Sequence, residues 1–361
     1  MAKDPALEVL STEPFKAQSP LGRLIEAPIT PRELFYVCTH STILASGEET
    51  FRLEVTGMVE RPLRLRLADL KANFAEVEVT ATLQSAANRR DELSRVRALE
   101  GQTPWGASAI GTAVWRGLSL AALLQGAGPL DGAAHVAFTA LDQDAQDGER
   151  FGCSIPFARA MAGDVVLAWD MNGEPLLPEH GFPLRAVVPG WIGARSVKWL
   201  TRIEVRREPS DNLHQQQRGN KLFPTHVDAT SVDWSQGLSL GELSLTSAIC
   251  DPLDGAELAN GPVRVRGYAL AGGQRTVERV EVSADNGSSW TIATLAGEAA
   301  PGVWRLWEAT LELPPGPHEL VCRAWDSAAM TQPEDPAHLW NFLGLMNNAW
   351  HRVRVWMPDT E

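Results

Sequence analysis

The sequence predicts an α+β protein: a mixed, sheet-rich domain over residues 1–235 and an immunoglobulin-like β-sandwich over residues 236–361. Three observations carry this. Short alternating apolar and polar segments recur along the chain, with glycine or proline at nearly every junction. Only two segments have the composition of a helix. Near residue 240 the character changes, and alternating segments then follow one another with no helical pattern between them, the signature of an antiparallel sandwich.

Taken in order, residues 1–35 are dotted with proline and lack sustained periodicity, so they read as an arm draped over the first domain. Phe51 to Thr56 (FRLEVT) alternates like a half-buried strand and stops at Gly57. Leu67 to Asn73 reads as a short helix. Val77 to Leu83 is a strand leading into Gln84-Ser85-Ala86-Ala87-Asn88-Arg89-Arg90, a small, polar stretch read as a loop. Leu118 to Gln125 is the second helix. HVAFTALD, FGCSIP, VVLAWD, LRAVVP and SVKWLTRIEV follow as strands. The polar segment 208–238, with Gln215-Gln216-Gln217 at its middle, reads as a linker or a loop crossing the domain. Beyond it VRVRGYAL, VERVEVSAD, SSWTIATL, VWRLWEATL and HELVCRAWD are five strands, with a hairpin turn at Asp285-Asn286-Gly287. Nothing in 250–330 resembles a catalytic constellation, so this half reads as a packing or dimerisation module.

Composition narrows the function. The 361 residues suit two domains, and 44% apolar residues suffice for real cores. A net charge of −13 repels phosphate backbones and argues against a nucleic-acid partner. Cys38, Cys153, Cys250 and Cys322 are widely spaced, which argues against a zinc knuckle or a disulfide framework and for buried free thiols. Thirteen tryptophans against two tyrosines point to core and interface packing. No apolar run approaches the length that crosses a membrane, and the N-terminus lacks a leader pattern. The expectation is a cytoplasmic protein, or a periplasmic one if a leader has been removed, with no membrane partner. The defining residues of P-loop, dinucleotide, zincin and serine hydrolase motifs are missing.

Three stretches stand out chemically: Asn88-Arg89-Arg90, His180 to Arg185 (HGFPLR), and Gly193 to Lys198 (GARSVK). Each sets cations or polar donors beside glycine or at a strand–loop junction. Together they would form a basic cradle in an acidic protein, suited to a phosphate or a pterin; separately they are surface ion pairs.

The phrases ATLQSAANRR, SAIGTAVWRG, MNGEPLLPEHGFPLRAVVPGWIGARSVKWL and NNAWHRV are similar to those of the sulfite oxidase family of molybdopterin oxidoreductases, over about residues 30–355. The resemblance implies a molybdopterin domain followed by an immunoglobulin-like dimerisation domain, hence a homodimer. It implies a molybdenum–molybdopterin cofactor held by His40, Asp142, His180, Arg185, Arg195, Ser196 and Lys198. No haem segment is present, so electrons would leave to a separate acceptor.

The reactive centre departs from the family. The motif LQCAGNRR, whose cysteine binds molybdenum, reads LQSAANRR, so Ser85 stands at the metal position. A serine hydroxyl is a weaker acid and a harder donor than a thiol. Cys38 stands where the family has an arginine, Asn220 where it has a tyrosine, and Leu343 where it has another arginine, while Arg90 and Trp105 remain. A cation about 4 Å from an anion contributes roughly 4 kcal/mol at an effective dielectric near 20. The loss of two therefore implies a substrate other than sulfite and less anionic, handled by oxygen-atom transfer at a pocket of Cys38, Arg90, Trp105 and Asn220. The alternative is a catalytically decayed member that keeps the fold and pterin binding.

Overall fold

The computed structural model describes residues 3–44, 47–144 and 148–359. In the first half, Leu53–Gly57 pairs with Leu63–Leu65 and runs parallel to Leu200–Arg206. His135–Gln143 and Arg150–Pro156 complete this five-stranded sheet. The alternation of FRLEVT explains the first strand: Leu53 and Val55 are buried, while Glu54 and Thr56 are only partly so. A second sheet sets Glu76–Gln84 beside Ile110–Ser119 and Val166–Met171, with Arg185–Val187 and Glu174–Pro175 at its far side. Glu76–Gln84 is exposed at its start and buried over its last four residues. It therefore runs from the surface into the core and delivers Ser85 at its inner end.

The helix Leu67–Asn73 forms as read from sequence. The second helix is Leu120–Ala127, later than expected, because Leu118 and Ser119 still pair with Leu167 and Val166 in the sheet. Three further readings are corrected. The arm is not irregular: Glu8–Thr12 and Phe15–Gln18 form a hairpin, and Phe15–Gln18 pairs with Val37–Cys38. The stretch after Asn88 is not all loop, since Arg90–Val96 is helical. SVKWLTRIEV is a strand only from Leu200, because Gly193–Arg195 forms a turn of 3-10 helix and the chain beyond it wraps a cavity.

In the second half, Thr246–Asp251, Val263–Leu270, Arg305–Leu311 and Thr294–Leu295 form one sheet. Ala256–Glu257, His351–Met357, Gly316–Asp326, Val277–Ser283 and Thr291–Ile292 form another. The two share a core in which Val265 and Trp307 meet Val280, Leu320 and Val353. SSWTIATL is broken into two short strands, and Thr246–Asp251 and His351–Met357 were not foreseen. At the Asp285-Asn286-Gly287 turn, Asn286 and Gly287 both have positive φ, 55° and 87°, as that dipeptide favours.

The halves interlock at the Ser85–Arg90 turn. Tyr268 of the second half is fully buried; its hydroxyl donates to Ala107 O at 2.7 Å and accepts from Asn88 Nδ2 at 2.9 Å. The Trp304 indole donates to Pro28 O at 2.9 Å. Arg89 has no exposed surface; its Nη1 donates to Ser247 O at 3.0 Å, and its guanidinium pairs with Glu92 through two bonds of 2.6 Å. Removing one partner of a buried pair strands the other charge, at a cost of about 3–5 kcal/mol. Arg89→Met should lower the unfolding free energy by about that amount in urea titrations. Arg95→Met, at a side chain 62% exposed, should change it by less than about 1 kcal/mol.

Candidate functional site

A cavity of about 290 Å³ opens where the two sheets of the first half meet the hairpin arm. Its wall comes from widely separated places in the sequence. Val37–Cys38 and the following loop supply Cys38 and His40; the turn after Glu76–Gln84 supplies Ser85 and Arg90; the segment before Ile110–Ser119 supplies Trp105. The strand His135–Gln143 brings Asp142, the two glycine-bearing stretches bring His180, Arg185, Ser196 and Lys198, and the segment 208–238 brings Asn220. That last segment therefore contributes to the cavity wall as well as connecting the two halves.

The cavity is positively charged, and three of its cations, Arg185, Lys198 and Arg90, are held by neutral groups, while Arg218 pairs with Asp144. Arg185 Nη1 donates to His180 O at 3.0 Å, Nη2 donates to Ser196 O at 2.9 Å, and the guanidinium stacks 4.9 Å from the Trp115 ring. Lys198 Nζ donates to Cys38 O at 2.9 Å and Glu179 O at 3.1 Å. Arg90 donates from Nε to Gly344 O and from Nη1 to Thr103 O, both at 3.2 Å. Gly344 sits at φ +61°, and a Cβ there would lie 2.7 Å from Arg90 Cγ, so only glycine lets that carbonyl approach. Burial pushes the Arg90 and Arg185 pKa values down to about 10 and that of Lys198 to about 8. Charged groups kept out of water without a counter-charge favour an incoming anion.

The remaining groups are polar and neutral. His180 is buried, which with Lys3 and Arg185 nearby holds its pKa well below the usual histidine range. Lys3 Nζ lies 3.0 Å from its Nε2. A neutral ring there accepts from the ammonium. His40 stacks on Phe151 at 5.1 Å; it faces the open cavity, yet the surrounding protein and the neighbouring His214 keep it neutral. Asp142 Oδ2 accepts from Ser41 Oγ at 2.8 Å, while its Oδ1 is buried and has no partner among the described residues. Burial raises the Asp142 pKa, opposed by the Ser41 bond and Lys198. A buried carboxylate oxygen of this kind is open to a hydrogen-bond donor. Ser85 Oγ accepts from Ala87 N at 3.2 Å, leaving its own proton to donate elsewhere.

Eleven of the twelve residues singled out from sequence line the cavity: Cys38, His40, Ser85, Arg90, Trp105, Asp142, His180, Arg185, Ser196, Lys198 and Asn220. Arg195 does not. Its guanidinium turns the other way, donating to Gln215 Oε1 at 2.7 Å and to Leu240 O, so it fastens the segment 208–238 to the first half. Arg89 likewise points into the core. Ser196 lines the wall, but its hydroxyl oxygen accepts from Val188 N at 3.0 Å, making it a support for Arg185. Asn220 Nδ2 donates to His214 O at 2.6 Å. Leu343 is in the core, and Leu345 is the cavity residue nearby. The polar wall residues that the sequence reading did not single out include Lys16, Tyr36, Thr103, Glu179 and Arg218.

These features define a cation-lined cavity assembled from loops at the inner ends of sheets. An oxidoreductase molybdopterin-binding domain model matches residues 40–214, and a Mo-co oxidoreductase dimerisation domain model matches residues 238–357. The chain is 44% identical to a sulfite oxidase of Gallus gallus, over 97% of this chain and 78% of that one. It is 43% identical to a mitochondrial sulfite oxidase of Homo sapiens, over 98% of this chain and 66% of that one. Its structure matches that of the sulfane dehydrogenase SoxCD from Paracoccus pantotrophus with a TM-score of 0.80 at 26% identity, over 98% and 86% of the two chains. The chain belongs to the sulfite oxidase family of molybdopterin oxidoreductases.

The depressed Lys198 pKa sets a pH dependence. Below pH about 8 the folded, ligand-free protein carries a desolvated ammonium. Between about 8 and the ordinary 10.5 the unfolded chain binds the extra proton, so stability rises with pH in that window. Lys198→Met removes this dependence. Denaturant titrations at pH 7 and pH 10 should show the unchanged protein gaining on the variant by on the order of 1–3 kcal/mol.

Proposed function

We propose that the chain binds a molybdopterin and transfers an oxygen atom to or from a small anion. The observation that carries this is the set of cations around one cavity, Arg90, Arg185 and Lys198, each held by carbonyl oxygens rather than by a carboxylate. The residues present fit the cofactor. Arg185 and Lys198 would hold its phosphate, and the unpartnered Oδ1 of Asp142 would accept from the pterin edge. His40 and His180, both neutral, would hydrogen-bond to the ring system without adding charge. Among the described residues no group of three His, Cys, Asp or Glu side chains is placed to hold a metal ion. A metal here would rest mainly on the pterin's own atoms, with Ser85 as the protein's candidate ligand. When bound, the cofactor supplies two-electron redox chemistry at molybdenum. The protein's part is to present the substrate between Arg90 and Trp105 and to keep that space screened by the hairpin arm.

The altered positions 38, 85 and 220 favour a substrate other than sulfite, and sulfite remains the reference anion to assay. A second reading rests on Ser85 alone: a hydroxyl in place of a thiolate would leave a protein that keeps the cofactor without turnover. In either case the two sheets of the second half are read as an immunoglobulin-like dimerisation domain beginning near residue 236. Electrons would pass to a separate acceptor.

Protein produced in a molybdopterin-making host should contain about one molybdenum and one pterin per chain, by elemental analysis and by fluorescence of the oxidised pterin. Absence of both would sink the proposal. Anion-dependent reduction of an artificial acceptor separates turnover from cofactor retention, and Arg90→Met should reduce kcat/KM by at least about tenfold.

A further inference from the structure

Position 38 lies in the cavity wall, close enough to Arg90 and Lys198 to influence the ionisation of both. Directly across the sheet from it, in register, is Lys16 of the hairpin arm. Lys16 is half-buried and also lines the cavity. Its ammonium donates to Thr103 Oγ1 at 2.8 Å, and no carboxylate pairs with it among the described residues. Arg90 donates to the carbonyl of that same Thr103. One residue therefore tethers two cations, through its hydroxyl and its carbonyl, at the end of the cavity that also holds Trp105 and Ser85. The cavity's two acidic wall residues, Asp142 and Glu179, act instead on Lys198.

We infer that Lys16 is a specificity-determining residue which, with Arg90, holds one small oxyanion at the Ser85–Trp105 end of the cavity. This rests on the anion reading above and deepens it. Two cations anchored on one residue through neutral oxygens keep their charge available to a bound oxyanion. The lysine stem has four rotatable carbons, so its ammonium can exchange the Thr103 hydroxyl for a ligand oxygen. The hydroxyl is a neutral partner and gives way easily to a charged one. The positive charge that the sequence seemed to have lost at Cys38 is thereby supplied from the opposite strand. The pocket keeps its preference for anions, with a differently shaped and more mobile donor.

The test uses cofactor-loaded protein with sulfate as the probe, read by titration calorimetry and by competition with the anionic substrate. Lys16→Met should weaken sulfate binding by at least about tenfold and raise KM with little change in kcat. Lys16→Arg should stay within about threefold of the unchanged protein. The decisive variant is the double change Lys16→Met with Cys38→Arg, which restores a cation from the facing strand and should recover most of the lost affinity. A structural role for Lys16 predicts no such rescue. Sulfate binding by Lys16→Met as tight as in the unchanged protein overturns the assignment and leaves the anion reading standing. If the loaded, unchanged protein binds no sulfate and turns over only neutral substrates, the anion reading fails together with it.

Discussion

The organisation of this protein depends on positive charge kept away from water without a carboxylate beside it. In a chain of net charge −13, acidic partners are plentiful, yet Arg90, Arg185, Lys198 and Lys16 make their hydrogen bonds to carbonyls and a hydroxyl. Carbonyl dipoles orient a cation without cancelling it, so the charge remains available to a ligand. By contrast Arg89, one residue from Arg90, is neutralised by Glu92 and serves as a structural bolt. The difference between these neighbours is the difference between a binding residue and a folding residue. It follows from which side of a single turn each side chain leaves.

Local patterns made much of the architecture legible. Alternation placed Leu53–Gly57 and Val263–Leu270, and composition placed the helix Leu67–Asn73. What failed did so for identifiable reasons. The hairpin of residues 8–18 carries polar residues on both faces and a proline at its turn, so it has no readable period, and it is ordered by pairing with Val37–Cys38. Thr246–Asp251 is buried almost throughout, so burial on both faces erased its alternation. Helical character in Arg90–Val96 was masked by the polar residues that precede it.

The site shows the same division. Motif resemblance located eleven wall residues but could not say which way a side chain points. Arg195 and Lys198 belong to one short stretch, yet Arg195, the last residue of the 3-10 turn, reaches Gln215 while Lys198, three residues on, lines the cavity. Lys16 was invisible because its significance lies in a cross-strand register, a relation between residues 16 and 38 that neither segment announces alone. Leu343 and Cys38 read in the sequence as two lost cations. With Lys16 across the sheet from it, the second becomes a change in where the charge comes from.

The bonds of Tyr268 to Asn88 and Ala107 have a consequence for how the protein matures. They fix the turn bearing Ser85 from behind, using a strand more than 150 residues further along the chain. The turn is therefore braced only once the strand Val263–Leu270 has docked behind it. The hairpin arm closes one side of the cavity, held by its pairing with Val37–Cys38 and by the bonds that join Lys16 to Thr103 and Gln18 to Gly106.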